Sequence, residues 1–206
     1  MLKKDTRMNT YTRIVESAIE LYKSQGIENV SIKEICQAAA VTRNAFYYYF
    51  ESRDVLFDAI ADWVVERSRE RVVSLYGAGE YYAQIWEFYR AYLLTELEIG
   101  PEIMNRIFLA RTKKDSSDYY DYSYIDVKTV PMMTELIRKA QQSGHINNHG
   151  SPEDLVWASY AIVRGVNINW CFVLGCCDLI ADSQKALDLL FEPEPQRRLY
   201  KGCGKV

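Results

Sequence analysis

No apolar run in the 206-residue chain approaches the ~18 residues that a membrane-spanning helix requires. The opening stretch, MLKKDTRMNTYTR, lacks the apolar centre of a secretory signal. Both absences predict a cytoplasmic protein without a membrane partner. Histidine is nearly missing: only His145 and His149 occur, four apart in HINNHGSPED. The Asn-Asn between them and the Gly-Ser-Pro after them read as loop, so no metal site is expected. Five cysteines, Cys36, Cys171, Cys176, Cys177 and Cys203, are odd in number and follow no framework spacing. That argues against disulfides and fits a reducing compartment. The chain shows no nucleophile–base pairing, no phosphate-cradling loop and no metal-ligand spacing, so neither an enzyme nor a cofactor is expected. Charge of one sign is lacking too, with 25 Lys and Arg against 28 Asp and Glu. Residues 1–54 hold eight basic and seven acidic side chains, a net of +1, leaving −4 for the remainder. Non-specific attraction to phosphate is then modest, and affinity for nucleic acid would have to come from a few well-placed contacts in each of two copies.

What is present is organised around residues 31–50, SIKEICQAAAVTRNAFYYYF. Its apolar residues form two short helical sets, Ile32, Ile35, Cys36, Ala39 and then Ala45, Phe46, Tyr49, Phe50, with a break at Ala40-Val41. Ser31 and Thr42 are N-caps for the two sets, and Glu34 stands three residues after Ser31, the spacing of a capping box. Two helices joined by so short a turn must cross, which reads as a helix-turn-helix. In such a unit the second helix lays its N-terminal residues in the major groove. Here that end carries Thr42, Arg43, Asn44, Tyr47 and Tyr48. Arg takes guanine's two acceptors, Asn pairs with adenine, and hydroxyls hold phosphates. Successive helical residues point in different directions, so Tyr47, Tyr48 and Tyr49 cannot all face one core. Ser31, Lys33, Tyr49 and Arg53 complete the candidate DNA-contact set, with a plain surface charge as the other reading of Arg53.

The run from Ile32 through Val41 and Thr42 to AFYYYF, followed by ESRDVLF, resembles the DNA-binding segment of the TetR family of bacterial transcriptional regulators. The likeness is close over residues 9 to about 60 and rests on helix count and length beyond. Two positions depart from the family's habit of glycine: Ala40 in the turn and Asn44 in the recognition helix. A left-handed Ala40 would carry strain on the order of 1 kcal/mol, and Asn44 adds an amide able to read a base.

Before this segment, Tyr11, Ile14, Val15, Ala18, Leu21 and Tyr22 share one helical face and Gly26 ends the run. Residues 1–10 read as a mobile arm, and residues 1–51 as the DNA-binding domain. Ser52 caps a helix over residues 52–76, about 35 Å long, which links that domain to a second one over residues 52–192. Gly77-Ala78-Gly79 marks the boundary. The segment Glu80–Ile99 has aromatics on nearly every face and should pass through the centre of the second domain. Tight packing of so many rings is hard, so a ligand cavity is expected there, with Trp86, Tyr89, Tyr92, Phe108, Tyr160, Arg164 and Asn167 as candidate lining. Arg164 and Asn167 equally suit satisfied interface groups.

A helix follows Gly100-Pro101, then the polar, Tyr-rich loop KKDSSDYYDYSY, then a helix from about Asp126 to Gln142. Ser151-Pro152 opens a long helix apolar around most of its circumference, and Asp182–Phe191 forms the last. One side of each needs cover from a second copy, with Trp157, Ala161, Ile168, Phe172, Leu187 and Leu190 as the candidate four-helix dimer interface. Residues 193–206 read as a disordered tail.

The expected fold is all-α, about nine helices, with an N-terminal three-helix helix-turn-helix domain and a C-terminal helical ligand-binding and dimerisation domain. The resemblance implies a homodimeric ligand-responsive repressor, binding a palindromic double-stranded DNA operator and released by a small hydrophobic or aromatic effector. The alternatives are a redox- or metal-responsive regulator using Cys171, Cys176 and Cys177, and a DNA-binding protein of this fold without a ligand.

Overall fold

The computed structural model describes residues 2–75, 80–112 and 129–201, with side chains placed at 9–72, 80–110 and 129–201. Among these the all-α expectation holds, as nine α-helices: α1 (Leu2–Gln25), α2 (Ile32–Ala38), α3 (Arg43–Tyr49), α4 (Arg53–Leu75), α5 (Tyr81–Ile99), α6 (Pro101–Thr112), α7 (Val130–Gln142), α8 (Pro152–Phe172) and α9 (Leu179–Phe191). The side chains of residues 1–8, the Gly77–Gly79 break, the Tyr-rich loop and Cys203 lie outside the described residues.

Local chemistry sets the ends of the first helices. Gly26, at φ 81° and ψ 148°, ends α1 in a conformation that suits only glycine. Ser31 Oγ accepts from the Glu34 amide at 3.3 Å and the Ser31 amide donates to Glu34 Oε2 at 2.7 Å, closing the capping box. These bonds also hold the Glu34 carboxyl below its ordinary pKa. The turn after α2 is a Schellman motif: the Val41 amide donates to the Cys36 carbonyl at 2.9 Å and the Ala40 amide to that of Gln37 at 3.1 Å. Ala40 takes the left-handed position, φ 51°. Thr42 Oγ1 then accepts from the Ala45 amide at 3.1 Å and starts α3. Ile14, Val15, Ala18 and Tyr22 of α1, Ile35 and Ala39 of α2, and Phe46 and Phe50 around α3 are buried to within 2% of completely, which fixes the crossing of the three helices.

Helix α4 packs on α1 at one side and on α5 and α6 at the other. Helix α5 touches α4, α6, α7 and α9, and ten of its residues are buried. Its all-round apolar pattern thus corresponds to an all-round packed helix. Helix α8 buries Leu155, Val156, Ser159, Val163, Asn167, Trp170 and Cys171 on one side. On the other, Trp157, Ala161, Gly165 and Phe172 are exposed, with Ile168 half-buried between them.

Several boundaries differ from expectation: α1 begins at Leu2, within the segment read as a mobile arm, and α7 at Val130 rather than near Asp126. Helix α9 begins at Leu179, because the Asp178 carboxylate caps it by accepting from the Ala181 amide at 2.9 Å. Residues 193–201 are placed, contrary to a disordered tail. Asp188 gathers them, its carboxylate accepting from the Leu199 and Tyr200 amides at 3.0 and 2.9 Å as well as from Tyr82 Oη at 2.8 Å. Arg197 adds an ion pair to Glu80 at 2.8 Å.

Candidate functional site

The N-terminal end of α3 presents Thr42, Arg43 and Asn44, all exposed, with Tyr47 44% and Tyr48 66% exposed. Three different positions hold the three tyrosines of α3. Phe46 faces the core, so Tyr47 and Tyr48 are turned outward, while Tyr49 lies half-buried with its ring 6.2 Å from that of Tyr11. Tyr48 meets Tyr49 edge-on at 5.0 Å, which stiffens the pair. Ser31 and Lys33 are exposed at the start of α2, though the Ser31 hydroxyl is committed to Glu34.

Arg53 is a correction. Its guanidinium turns inward, donating to the Ile27 and Val30 carbonyls, and its carbon sits 5.8 Å from the centre of the Tyr22 ring. The backbone between α1 and α2 leaves those carbonyls without helical partners, and the first turn of α4 brings the one long donor that reaches them. Arg53 therefore positions the head rather than offering its charge to a phosphate.

A second site lies between α5, α6 and α8. The faces meeting there share one spacing: Tyr89, Tyr92, Leu93, Glu96 on α5 and Tyr160, Val163, Arg164, Asn167 on α8, each at i, i+3, i+4, i+7. With Phe88 and Phe108 they line a cavity of about 50 Å³, room for roughly four water molecules. Six of the seven candidate ligand residues stand in this wall. Trp86 does not; it is buried elsewhere on α5. The floor is Leu93, Glu96, Val163 and Asn167, all at most 9% exposed, and the rim is half-buried Tyr92, Phe108 and Tyr160 with exposed Arg164. Tyr89 Oη shares a hydrogen bond with Ser159 Oγ at 2.5 Å and Tyr160 Oη one with Thr129 Oγ1 at 3.0 Å.

Sequence reasoning missed Glu96. Burial pushes its carboxyl up to about 8, against the lowering influence of the Arg164 charge and the Asn167 hydrogen bond. The signal was its spacing, four residues beyond Tyr92 and seven beyond Tyr89. Asn167 Oδ1 also accepts from Cys171 Sγ at 3.4 Å. Burial, followed by the neighbouring Glu96, raises that thiol to about 12, which leaves it a poor thiolate. Among the described residues no three His, Cys, Asp or Glu side chains gather as metal ligands.

On the outer face, Trp157 is 38% and Phe172 71% exposed, Ala161 is exposed, and Ile168 and Leu190 are half-buried. Leu187 is a correction to the candidate interface, being fully buried. The inward stripe of α9 is Leu179, Ser183, Leu187 and Phe191, at intervals of four. Leu189, 81% exposed, stands on the outer side instead.

A three-helix head with an outward, Tyr-rich second helix, carried on a helical body by one long connecting helix, defines a helix-turn-helix protein of the two-part all-α class. Residues 14–60 match the family model for bacterial regulatory proteins, tetR family. Over 65 residues the chain is 35% identical to the HTH-type transcriptional regulator AcrR of Shigella flexneri, taking in 32% of this chain and 29% of that protein. It likewise spans about a third or less of the length of the curated relatives it matches first. A longer likeness, 20% identical over 192 residues, covers 90% of this chain and 86% of the probable acrEF/envCD operon repressor of Escherichia coli K12. In fold, the chain is similar to the TetR-family repressor FadR of Thermus thermophilus in complex with lauroyl-CoA. The TM-score is 0.65 at 18% identity, covering 95% of this chain and 98% of that one. The N-terminal segment thus matches that family's model, and the fold is similar to that of a TetR-family repressor.

Proposed function

We propose that the chain is a homodimeric transcriptional repressor, released from a palindromic operator by a small molecule held between α5, α6 and α8. The observation that carries the DNA half is the exposure of Tyr47 and Tyr48 beside Thr42, Arg43 and Asn44, on a helix whose other side is fixed by buried Phe46 and Phe50. Arg43 and Asn44 read base edges, and the hydroxyls of Thr42, Tyr47 and Tyr48 hold the backbone. The name of the E. coli relative supports repression, and the lauroyl-CoA complex of FadR supports a ligand-holding body.

Pairing through Trp157, Ala161, Ile168, Phe172, Leu189 and Leu190 sets two heads about one DNA turn, ~34 Å, apart. The effector acts through two helices that reach both parts. Helix α4 is one. Helix α6 is the other: Phe108 lines the cavity, and two residues earlier Arg106 pairs with Glu28 of the head at 3.3 Å. A ligand shifts the pair only by binding the DNA-incompetent shape better, and a ~100-fold loss of operator affinity requires about 2.7 kcal/mol of that difference.

The test is selection of binding sequences from a random double-stranded DNA pool, repeated with Tyr47→Ala. One palindromic site, lost in the variant, is the expected result; recovery of nothing specific overturns the operator reading. The modest cavity favours a second reading, a DNA-binding protein of this fold without an effector, since drug-sized ligands occupy about 300–1,000 Å³. A ligand titration that never changes operator affinity decides for it.

A further inference from the structure

The cavity holds one deeply buried carboxyl among five aromatic rings, and the charge of its occupant is legible from that contrast. Glu96 is 5% exposed, while the positive group near it, Arg164, stands at the exposed rim. Ring faces carry negative potential and attract a cation within about 6 Å. Four of the rings form one connected wall: Phe88 lies 5.3 Å from Tyr89, 5.2 Å from Tyr92 and 6.1 Å from Tyr160, and Tyr89 lies 5.5 Å from Tyr160. An anion entering the floor would meet the Glu96 oxygens among these rings. A neutral apolar group would leave the carboxyl with only Asn167 and the rim charge of Arg164 as partners.

We propose that this cavity receives an organic cation, a quaternary or protonated amine on an apolar body, with its charge against Glu96 and its substituents against the surrounding rings. The inference rests on the effector reading above and narrows it to one chemical class. The size agrees: about 50 Å³ takes the four heavy atoms of a trimethylammonium head in place of roughly four waters, with the apolar body lying toward the rim.

A proton must leave when the cation arrives. The charged and titratable groups that act on Glu96 are Arg164 and Cys171 on α8, with Asn167 as hydrogen-bond partner; Tyr89, Tyr92 and Tyr160 line the same cavity, and the α6 wall contributes uncharged Phe108. With its carboxyl at about 8, Glu96 is mostly protonated in the empty cavity at pH 7. A permanent cation selects the ionised form, about one molecule in ten at pH 7. Binding then releases close to one proton, and affinity rises about tenfold between pH 7 and pH 9.

The experiment uses the whole chain without DNA. Phenyltrimethylammonium is titrated by calorimetry in two buffers of different ionisation heat, and its uncharged isostere tert-butylbenzene by tyrosine fluorescence. The expected result is a cation bound at least tenfold tighter than the isostere, with the stated proton release and pH dependence. Glu96→Gln removes both and leaves the isostere's affinity unchanged. Equal or tighter binding of the isostere, cation binding without proton release, or no cation binding each overturns the proposal. If Glu96→Gln does not fold, the proton count on the unaltered chain decides alone. Binding of the isostere only leaves the effector cavity standing and removes the cation, whereas binding of neither removes both.

Discussion

Ala40 sits where the backbone runs left-handed, φ 51°, and its replacement by glycine gives a stability change whose sign is fixed by the turn. A left-handed L-residue costs about 1–2 kcal/mol through the clash of Cβ with the following carbonyl. Glycine removes that cost but gives the unfolded chain more freedom, which takes back about 0.4–1 kcal/mol. Ala40→Gly should therefore stabilise by roughly 0.5–1 kcal/mol, and the Schellman bonds from Ala40 and Val41 to Gln37 and Cys36 should persist because both are made by backbone. For a chain of 206 residues, that corresponds to a rise of about 1–4 °C in Tm. The control is Ala38→Gly, two residues earlier on the exposed side of α2 and right-handed, where glycine destabilises by up to about 1 kcal/mol. Urea unfolding followed by circular dichroism, at one protein concentration, reads both. Opposite signs are expected; a destabilised Ala40→Gly, matching the control, would refute the strained turn. Because Ala40 is exposed in the turn and is not itself a proposed base-reading residue, operator affinity should remain within a factor of about two.

Helix α9 separates two leucines by function: Leu187→Ala should cost about 2–5 kcal/mol because the side chain is fully buried, while Leu189→Glu should leave the protomer's unfolding curve in place and shift sedimentation toward the monomer. Replacing Arg53 with alanine strips the Ile27 and Val30 carbonyls of their donor, so the head should lose about 1.5–3 kcal/mol, and Arg53→Lys, lacking the planar fork, should recover only part, as judged by hydrogen exchange of residues 26–31. Glu96 makes stability depend on pH. Its folded value of about 8 lies above the ordinary 4.5, so the folded chain retains a proton that the unfolded chain releases. That contribution is complete below pH 4.5 and is lost as pH rises through 8. Urea midpoints of the unaltered chain should fall across this window relative to those of Glu96→Gln, and parallel profiles would show that the carboxyl is not held neutral.

Much of the head was legible because its determinants are local. Ser31 with Glu34, Thr42 before Ala45, and Gly26 each act within three or four residues, and the alternation of Phe46 with Tyr47 and Tyr48 follows from helical geometry alone. The cavity was partly legible for the same reason, since Tyr89 and Tyr92, like Tyr160, Arg164 and Asn167, share faces by spacing. What escaped depended on partners far away in sequence. Arg53 reads as a surface cation until carbonyls 23 and 26 residues earlier are brought beside it. Residues 193–201 look loose by composition, yet Asp188 and Glu80 supply the acceptors that hold them. Leu187 and Leu189 are chemically alike, and only the direction in which α9 lies on α8 tells them apart.

The outer stripe of α8 runs Trp157, Ala161, Gly165, Ile168, Phe172: large, small, small, medium, large. Such an order of sizes reads nearly the same from either end. The small residues at its centre let two such helices approach closely where they cross, and Trp157 and Phe172, about 22 Å apart along the axis, pass on either side of that crossing. A two-fold crossing at this waist would use the same stripe of both copies, so the proposed pair closes on itself rather than extending into a row.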